Sequence, residues 1–156
     1  MATKPASEGR ITMYEALLPS QANYAGNVHG GEMMKLMDNA AYIAARKYSH
    51  VNVVTARVDV IEFLLPIYVG ELVTVNAKVV YVGRSSMEVS VTVHVEDLDT
   101  EVGPKLAQTA FFTMVAIDKK GMPSTLPQLL VSTPEEIYDY EEGKKRHEAH
   151  KAKRDK

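Results

Sequence analysis

The sequence predicts an α+β domain in which one long, mostly buried helix packs against an antiparallel sheet. Three observations predict it. Residues 30–48 are apolar on nearly every side of a helix, and a helix of that kind is buried on most sides. Downstream, runs rich in Val, Ile and Thr recur with strand character. The links between these runs are short, which favours antiparallel neighbours.

The elements follow in order. Residues 1–9 are small and polar and are expected to be flexible. Residues 10–18 form a first strand candidate, and Pro19-Ser20-Gln21-Ala22-Asn23 reads as loop. In 30–48, Met33, Met34, Leu36, Met37, Ala40, Ala41, Ile43, Ala44 and Ala45 leave few polar positions, and the alanines let other backbone come close. Arg46, Lys47 and His50 suit the negative end of the helix dipole. Strands are expected over 51–63, 71–82, 87–96 and 106–118. The third alternates most clearly: Met87, Val89, Val91, Val93 and Val95 face one way, and Glu88, Ser90, Thr92, His94 and Glu96 the other. Turn-like links lie at 66–70, at Gly83-Arg84-Ser85-Ser86 and at 119–123, with a longer loop at 97–104. A second helix starts at Thr133-Pro134-Glu135-Glu136, which supplies a capping Thr, Pro at the first helical position and Glu at the capping-box position. Three parts result: a flexible 1–9, a single domain over 10–132, and a C-terminal helix with a basic tail over 133–156.

The chain has 156 residues, enough for one sizeable core. A net charge of −2 gives no reason to expect a nucleic-acid or membrane-surface partner. No cysteine is present, so neither disulfides nor thiolate chemistry operate. No stretch approaches the roughly 18 apolar residues of a spanning helix, and the first residues lack the apolar core of a signal peptide. A cytoplasmic protein is expected.

The chemistry concentrates in Asn27-Val28-His29-Gly30-Gly31-Glu32-Met33-Met34-Lys35-Leu36-Met37-Asp38. A glycine pair opens the apolar helix, whose start offers free N–H groups and partial positive charge, a place for a developing oxyanion. About two turns in sits Asp38, and a carboxylate in an apolar helix needs a hydrogen-bond partner or a task. Donors, an amide and a desolvated carboxylate together suggest hydrolysis of an activated carbonyl. Asp38 reads as a general base or a nucleophile, or else as a carboxylate bonded to backbone or to Asn39. Asn27 can orient water or polarise a carbonyl, and it can equally cap the helix. Gly30 and Gly31 supply N–H groups and allow close approach, or serve a tight start of the helix. Eleven positions separate Asn27 from Asp38, about 16 Å along a helix, so within one helix they cannot touch the same small group. Either the segment before Gly30 folds back, or the pair is completed between two subunits. No His/Asp/Glu cluster has metal-ligand spacing, and no metal or cofactor is expected.

The ordered set Gly26-Asn27-Val28-His29-Gly30-Gly31, Lys35-Leu36-Met37-Asp38, 63–70 and Val82-Gly83-Arg84-Ser85-Ser86-Met87 resembles the hot-dog-fold acyl-CoA thioesterases, in particular the bacterial and brain-type acyl-CoA hydrolase group. The resemblance runs from about residue 14 to 146. It implies a central helix wrapped by an antiparallel sheet, a homodimer with a continuous sheet and often a trimer of dimers, and hydrolysis of fatty acyl-CoA. It places the family's catalytic asparagine on Asn27 and its carboxylate on Asp38, with the two facing each other from different chains.

Coenzyme A carries phosphates, for which Arg84, Ser85 and Ser86 in a turn are suitable ligands. Lys144, Lys145 and Arg146 can reach the nucleotide end, or simply complement the dipole of their helix. Met33, Met34 and Met37 either belong to the core or line a slot for the acyl tail. His29 and His94 read as structural. Two other functions fit the same residues: a hot-dog hydratase or dehydratase, in which His29 becomes essential, and a non-catalytic acyl-CoA sensor.

Overall fold

The computed structural model describes residues 2–155. In it, α1 (Gly30–Ser49) lies against one face of a five-stranded antiparallel sheet. The strands are β2 (Arg10–Ala16), β3 (Asn52–Phe63), β4 (Leu72–Val82), β5 (Ser86–Glu96) and β6 (Lys105–Ile117), in the order β2-β4-β5-β6-β3. Alternation in β5 decides the packing. Met87, Val89, Val91 and Val93 are fully buried and meet Met37, Ala40, Ala41, Ala44 and Ala45 of α1 in one core. Each side chain of that size stabilises by roughly 1.5–3 kcal/mol when buried, so the register is held wherever this face is covered.

Of the first nine residues, expected to be flexible, Met1 lies outside the described residues and 3–9 are built into the fold. β1 (Thr3–Pro5) pairs in parallel with β7 (Gln128–Leu130), and Ala6–Gly9 form a 3-10 turn. Ala6 is buried, Lys4 Nζ donates to the Tyr48 carbonyl at 2.7 Å, and the Tyr48 hydroxyl donates to the Pro127 carbonyl at 2.8 Å. Burial, reinforced by Glu8, pushes the Tyr48 hydroxyl up to about 12.

A second correction concerns Glu88, expected on the solvent side of β5. It is only 6% exposed, because α2 (Pro134–Arg154) lies across the outer face of the sheet there. The capping box forms as read: Glu136 N–H donates to Thr133 Oγ1 at 3.1 Å, and Thr133 N–H to Glu136 Oε1 at 3.3 Å. Gly143 permits the close contact, since a Cβ there would stand 2.8 Å from Tyr81 Cβ. Arg146 grips Glu88 through Nη2 and Nε at 2.6 and 2.9 Å and stacks 3.8 Å from the Phe111 ring centre. Burial holds the Glu88 carboxyl above its ordinary value, and Arg146 offsets only part of that rise.

β3 is an edge strand with two irregularities, between Thr55 and Arg57 and between Asp59 and Glu62. Val60, at the second, has φ 48, a strained conformation for a β-branched residue. Val54, Val60, Ile61 and Phe63 are exposed along this strand.

Candidate active site

The loop that leads into α1 is pinned on both sides. Val28 N–H donates to the Ile67 carbonyl at 2.7 Å, His29 N–H to the Gln21 carbonyl at 3.0 Å, and Asn27 bridges to Tyr68. Asn23 braces the turn by accepting from Asn27 N–H at 3.1 Å. Val28 is buried as the anchor, while Gly30 and Gly31 are exposed. A Cβ at Gly31 would meet nothing within 4 Å, and one at Gly30 only the Phe63 ring at 3.9 Å. The tight helix start offered as a reason for the glycines therefore finds no crowding within the chain. What they leave is open approach to the first N–H groups of α1.

Asn27 and Gly30 line a groove of about 240 Å³ with Val28, Phe63, Leu64 and Gln108. Asp38 lines a different cavity of about 540 Å³, with Glu15, Glu32, Lys35 and Tyr42. Within a single chain the amide and the carboxylate thus line different cavities, with Asn27 in the loop before α1 and Asp38 on the helix. Asp38 is not bonded to Asn39. Its Oδ1 accepts from the Thr55 hydroxyl at 2.6 Å. Thr55 escaped the sequence reading because a threonine in a β-branched run is an ordinary strand former. Only the tertiary pairing of β3 with the flank of α1 singles it out.

Another cavity, of about 630 Å³, lies elsewhere. The Arg84-Ser85-Ser86 turn forms one wall, and His147, Lys151 and Arg154 of α2 face it. The three turn residues thus line one cavity together. The expected partners Lys144, Lys145 and Arg146 do not line this cavity. Lys144 and Lys145 are exposed, Lys145 pairs with Glu142 at 3.2 Å, and Arg146 is occupied by Glu88. The phase of the helix explains the correction: residues 147, 151 and 154 share one face, with 150 beside them. His29 is exposed at the N-cap of α1 and makes no side-chain cap bond.

A sheet wrapped around one long helix, with an amide at the helix start and a carboxylate two turns in, defines a hot-dog-fold protein of thioesterase type. The thioesterase superfamily model matches residues 25–102, and the chain belongs to that family. It is 39% identical over 137 residues to a mouse (Mus musculus) cytosolic acyl coenzyme A thioester hydrolase; the match takes in 87% of this chain, which spans only 36% of the length of that protein. A hexameric acyl-CoA thioesterase solved without ligand superposes with a TM-score of 0.92 at 33% identity, over 98% of this chain and 97% of that one. An acyl-CoA hydrolase from Staphylococcus aureus, solved with butyryl coenzyme A and coenzyme A, superposes with a TM-score of 0.89 at 33% identity, over 97% and 92% of the two chains. The same S. aureus enzyme has also been solved with alanine replacing an asparagine, an aspartate or a threonine.

Proposed function

We propose that this chain hydrolyses fatty acyl-CoA thioesters to the free acid and coenzyme A, at a site shared by two protomers. The observation that carries the proposal is the division of the machinery: Asn27 and Gly30 line one cavity, and Asp38, held by Thr55, lines another. Placing Asn27 of one chain opposite Asp38 of a second completes both. The apolar edge of β3, with Val54, Val60 and Phe63 exposed, supports a continuous sheet across that dimer. The hexameric relative supports a trimer of dimers.

In this reading the thioester carbonyl oxygen takes hydrogen bonds from the Gly30 and Gly31 N–H groups, where the α1 dipole favours the developing charge. The Asn27 amide orients the water. Asp38 removes a proton from it as the new C–O bond forms and the C–S bond breaks, and that proton leaves on the coenzyme A thiol. No metal or cofactor takes part. Arg84, Ser85 and Ser86, with Lys151 and Arg154, receive the phosphates.

The test is thiol release over acyl-CoAs of increasing chain length, in the presence of a chelator. Release across several lengths is the expected result. Tight acyl-CoA binding without thiol would instead favour a sensor, and conversion of a 2-enoyl-CoA to its hydrated product without thiol would favour a hydratase acting through His29. To separate base from nucleophile, a single turnover in ¹⁸O-water should place the label in the product acid and leave none in the Asp38 carboxylate.

A further inference from the structure

The sheet holds the half-buried His147 ring of α2 in a fixed place. The ring centre lies 5.1 Å from that of Tyr81. Beside it is Gly83, where an added Cβ would stand 3.2 Å from His147 Cε1. The glycine leaves the room that the imidazole occupies. With Arg84 and Lys151, His147 lines two cavities, of about 630 and 590 Å³. Its neighbour His150 has a carboxylate partner, Asp59 at 3.0 Å. The His147 side chain has no hydrogen-bond partner among the described residues.

The charges that face this ring are mostly cations. Lys151 and Arg154 come from its own helix, Arg84 from the turn after β4, and Arg57 from β3. The nearby carboxylates are engaged or exposed. Arg146 grips Glu88, Asp59 lies between Arg57 and His150, and Glu148 faces solvent. Burial raises the Tyr81 hydroxyl, so the phenol behind the ring stays neutral. Burial first, then Arg154 and Lys151, hold His147 below its ordinary value. An arriving phosphate cancels the repulsion from those cations and accepts a hydrogen bond from a ring N–H. We propose that His147 is a further phosphate ligand, engaging coenzyme A as an imidazolium, so that each bound nucleotide brings a proton from solvent into the complex. This rests on the assignment of the cavity to coenzyme A given above. Arg84, Lys151 and Arg154 attract the anion with fixed charge, and His147 adds its charge only once the anion is there.

Titration calorimetry of coenzyme A in buffers of different ionisation enthalpy counts the protons. Wild type at about pH 7 should take up a large part of one proton per site. Uptake on binding means that Kd tightens as pH falls, severalfold between about pH 8 and about pH 6.5. Dephospho-coenzyme A lacks the 3′-phosphate and repeats the count without a titrating phosphomonoester. His147→Gln should abolish the uptake and flatten the pH dependence, weakening binding at about pH 6.5 by up to about tenfold. Gly83→Ala crowds the ring and removes no charge, so it should lower the uptake, and it carries the test if His147→Gln does not fold. His150→Gln should keep most of the uptake. Absence of uptake with both ligands, or equal uptake in wild type and His147→Gln, would overturn the proposal. So would loss of uptake in His150→Gln alone. Coenzyme A binding that Arg84→Ala leaves unchanged would overturn the placement of the phosphates as well, whereas the other results overturn this proposal alone.

Discussion

The Thr55 hydroxyl holds Asp38 Oδ1 at 2.6 Å across the gap between β3 and α1. One carboxylate oxygen is thereby fixed and the other is free to act. Asp38→Asn preserves size and should fold, while turnover falls about 10²- to 10⁴-fold with the loss of a general base. Thr55→Val, which removes the hydroxyl and keeps the shape, should lower kcat by a smaller factor, and Thr55→Ser should restore most of it. Steady-state thiol release on the three variants checks the order.

Shared sites make a second prediction. Asn27→Ala and Asp38→Asn should each be inactive alone. After subunit exchange, hybrid dimers keep one site with both intact residues, so activity should return to a fraction of wild type. Exchange verified by mass spectrometry without recovered activity would place both residues in one protomer's site.

The nucleotide cavity makes a third. Arg84→Ala and Arg154→Ala each remove a charge-assisted contact worth about 1.5–3 kcal/mol, so KM for acyl-CoA should rise about tenfold or more, with kcat little changed. The effect should shrink at high salt. Lys144→Ala and Lys145→Ala, whose side chains point away from the cavity, should leave KM alone.

Glu88 and Arg146 make a fourth. Removing Arg146 strands a buried carboxylate, so Arg146→Ala should cost about 3–5 kcal/mol of stability. Glu88→Gln in the same chain should recover much of that loss, because no charge is left buried. Urea unfolding of both single variants and the double variant measures the coupling.

The docking of α2 should depend on pH. Burial, then Arg154 and Lys151, hold His147 below the ordinary 6.5, and burial likewise lowers His150 despite Asp59, which lies 3.0 Å away. A histidine whose folded-state value is lowered binds fewer protons folded than unfolded, so stability grows with pH below 6.5 and levels off above it. Tyr81, 5.1 Å from the His147 ring, packs on the same surface. Melting temperatures between about pH 5 and 7 should therefore climb in the wild type and climb less in His147→Gln.

Much of this was legible in the residues. The Val alternation of β5 and the alanine-rich face of α1 fix which surfaces meet, and five strands and both helices fall within a residue or two of their expected bounds. β1 and β7 were not legible. Each has three residues, too few to show a period, and each exists only because the other lies beside it. Glu88 followed the polar phase of β5, yet a helix from the far end of the chain covers it. For Lys151 and Arg154 the signal was present and missed: their spacing from His147 puts all three on one side of α2. Thr55 had no local signal, since it looks like an ordinary strand residue until the sheet closes.

The pairing of Thr3–Pro5 with Gln128–Leu130 sets an order of assembly. β1 can find its partner strand only after the residues between them have been made. Until then the C-terminal end of α1 lacks Lys4 at its Tyr48 carbonyl, and the Tyr48 hydroxyl lacks Pro127. Contacts this distant in sequence form late, because loop closure must precede them. On a ribosome the helix and the first strands would emerge first and stay loosely held at that end. Synthesis of β7 would close the structure there by supplying the partner strand of β1.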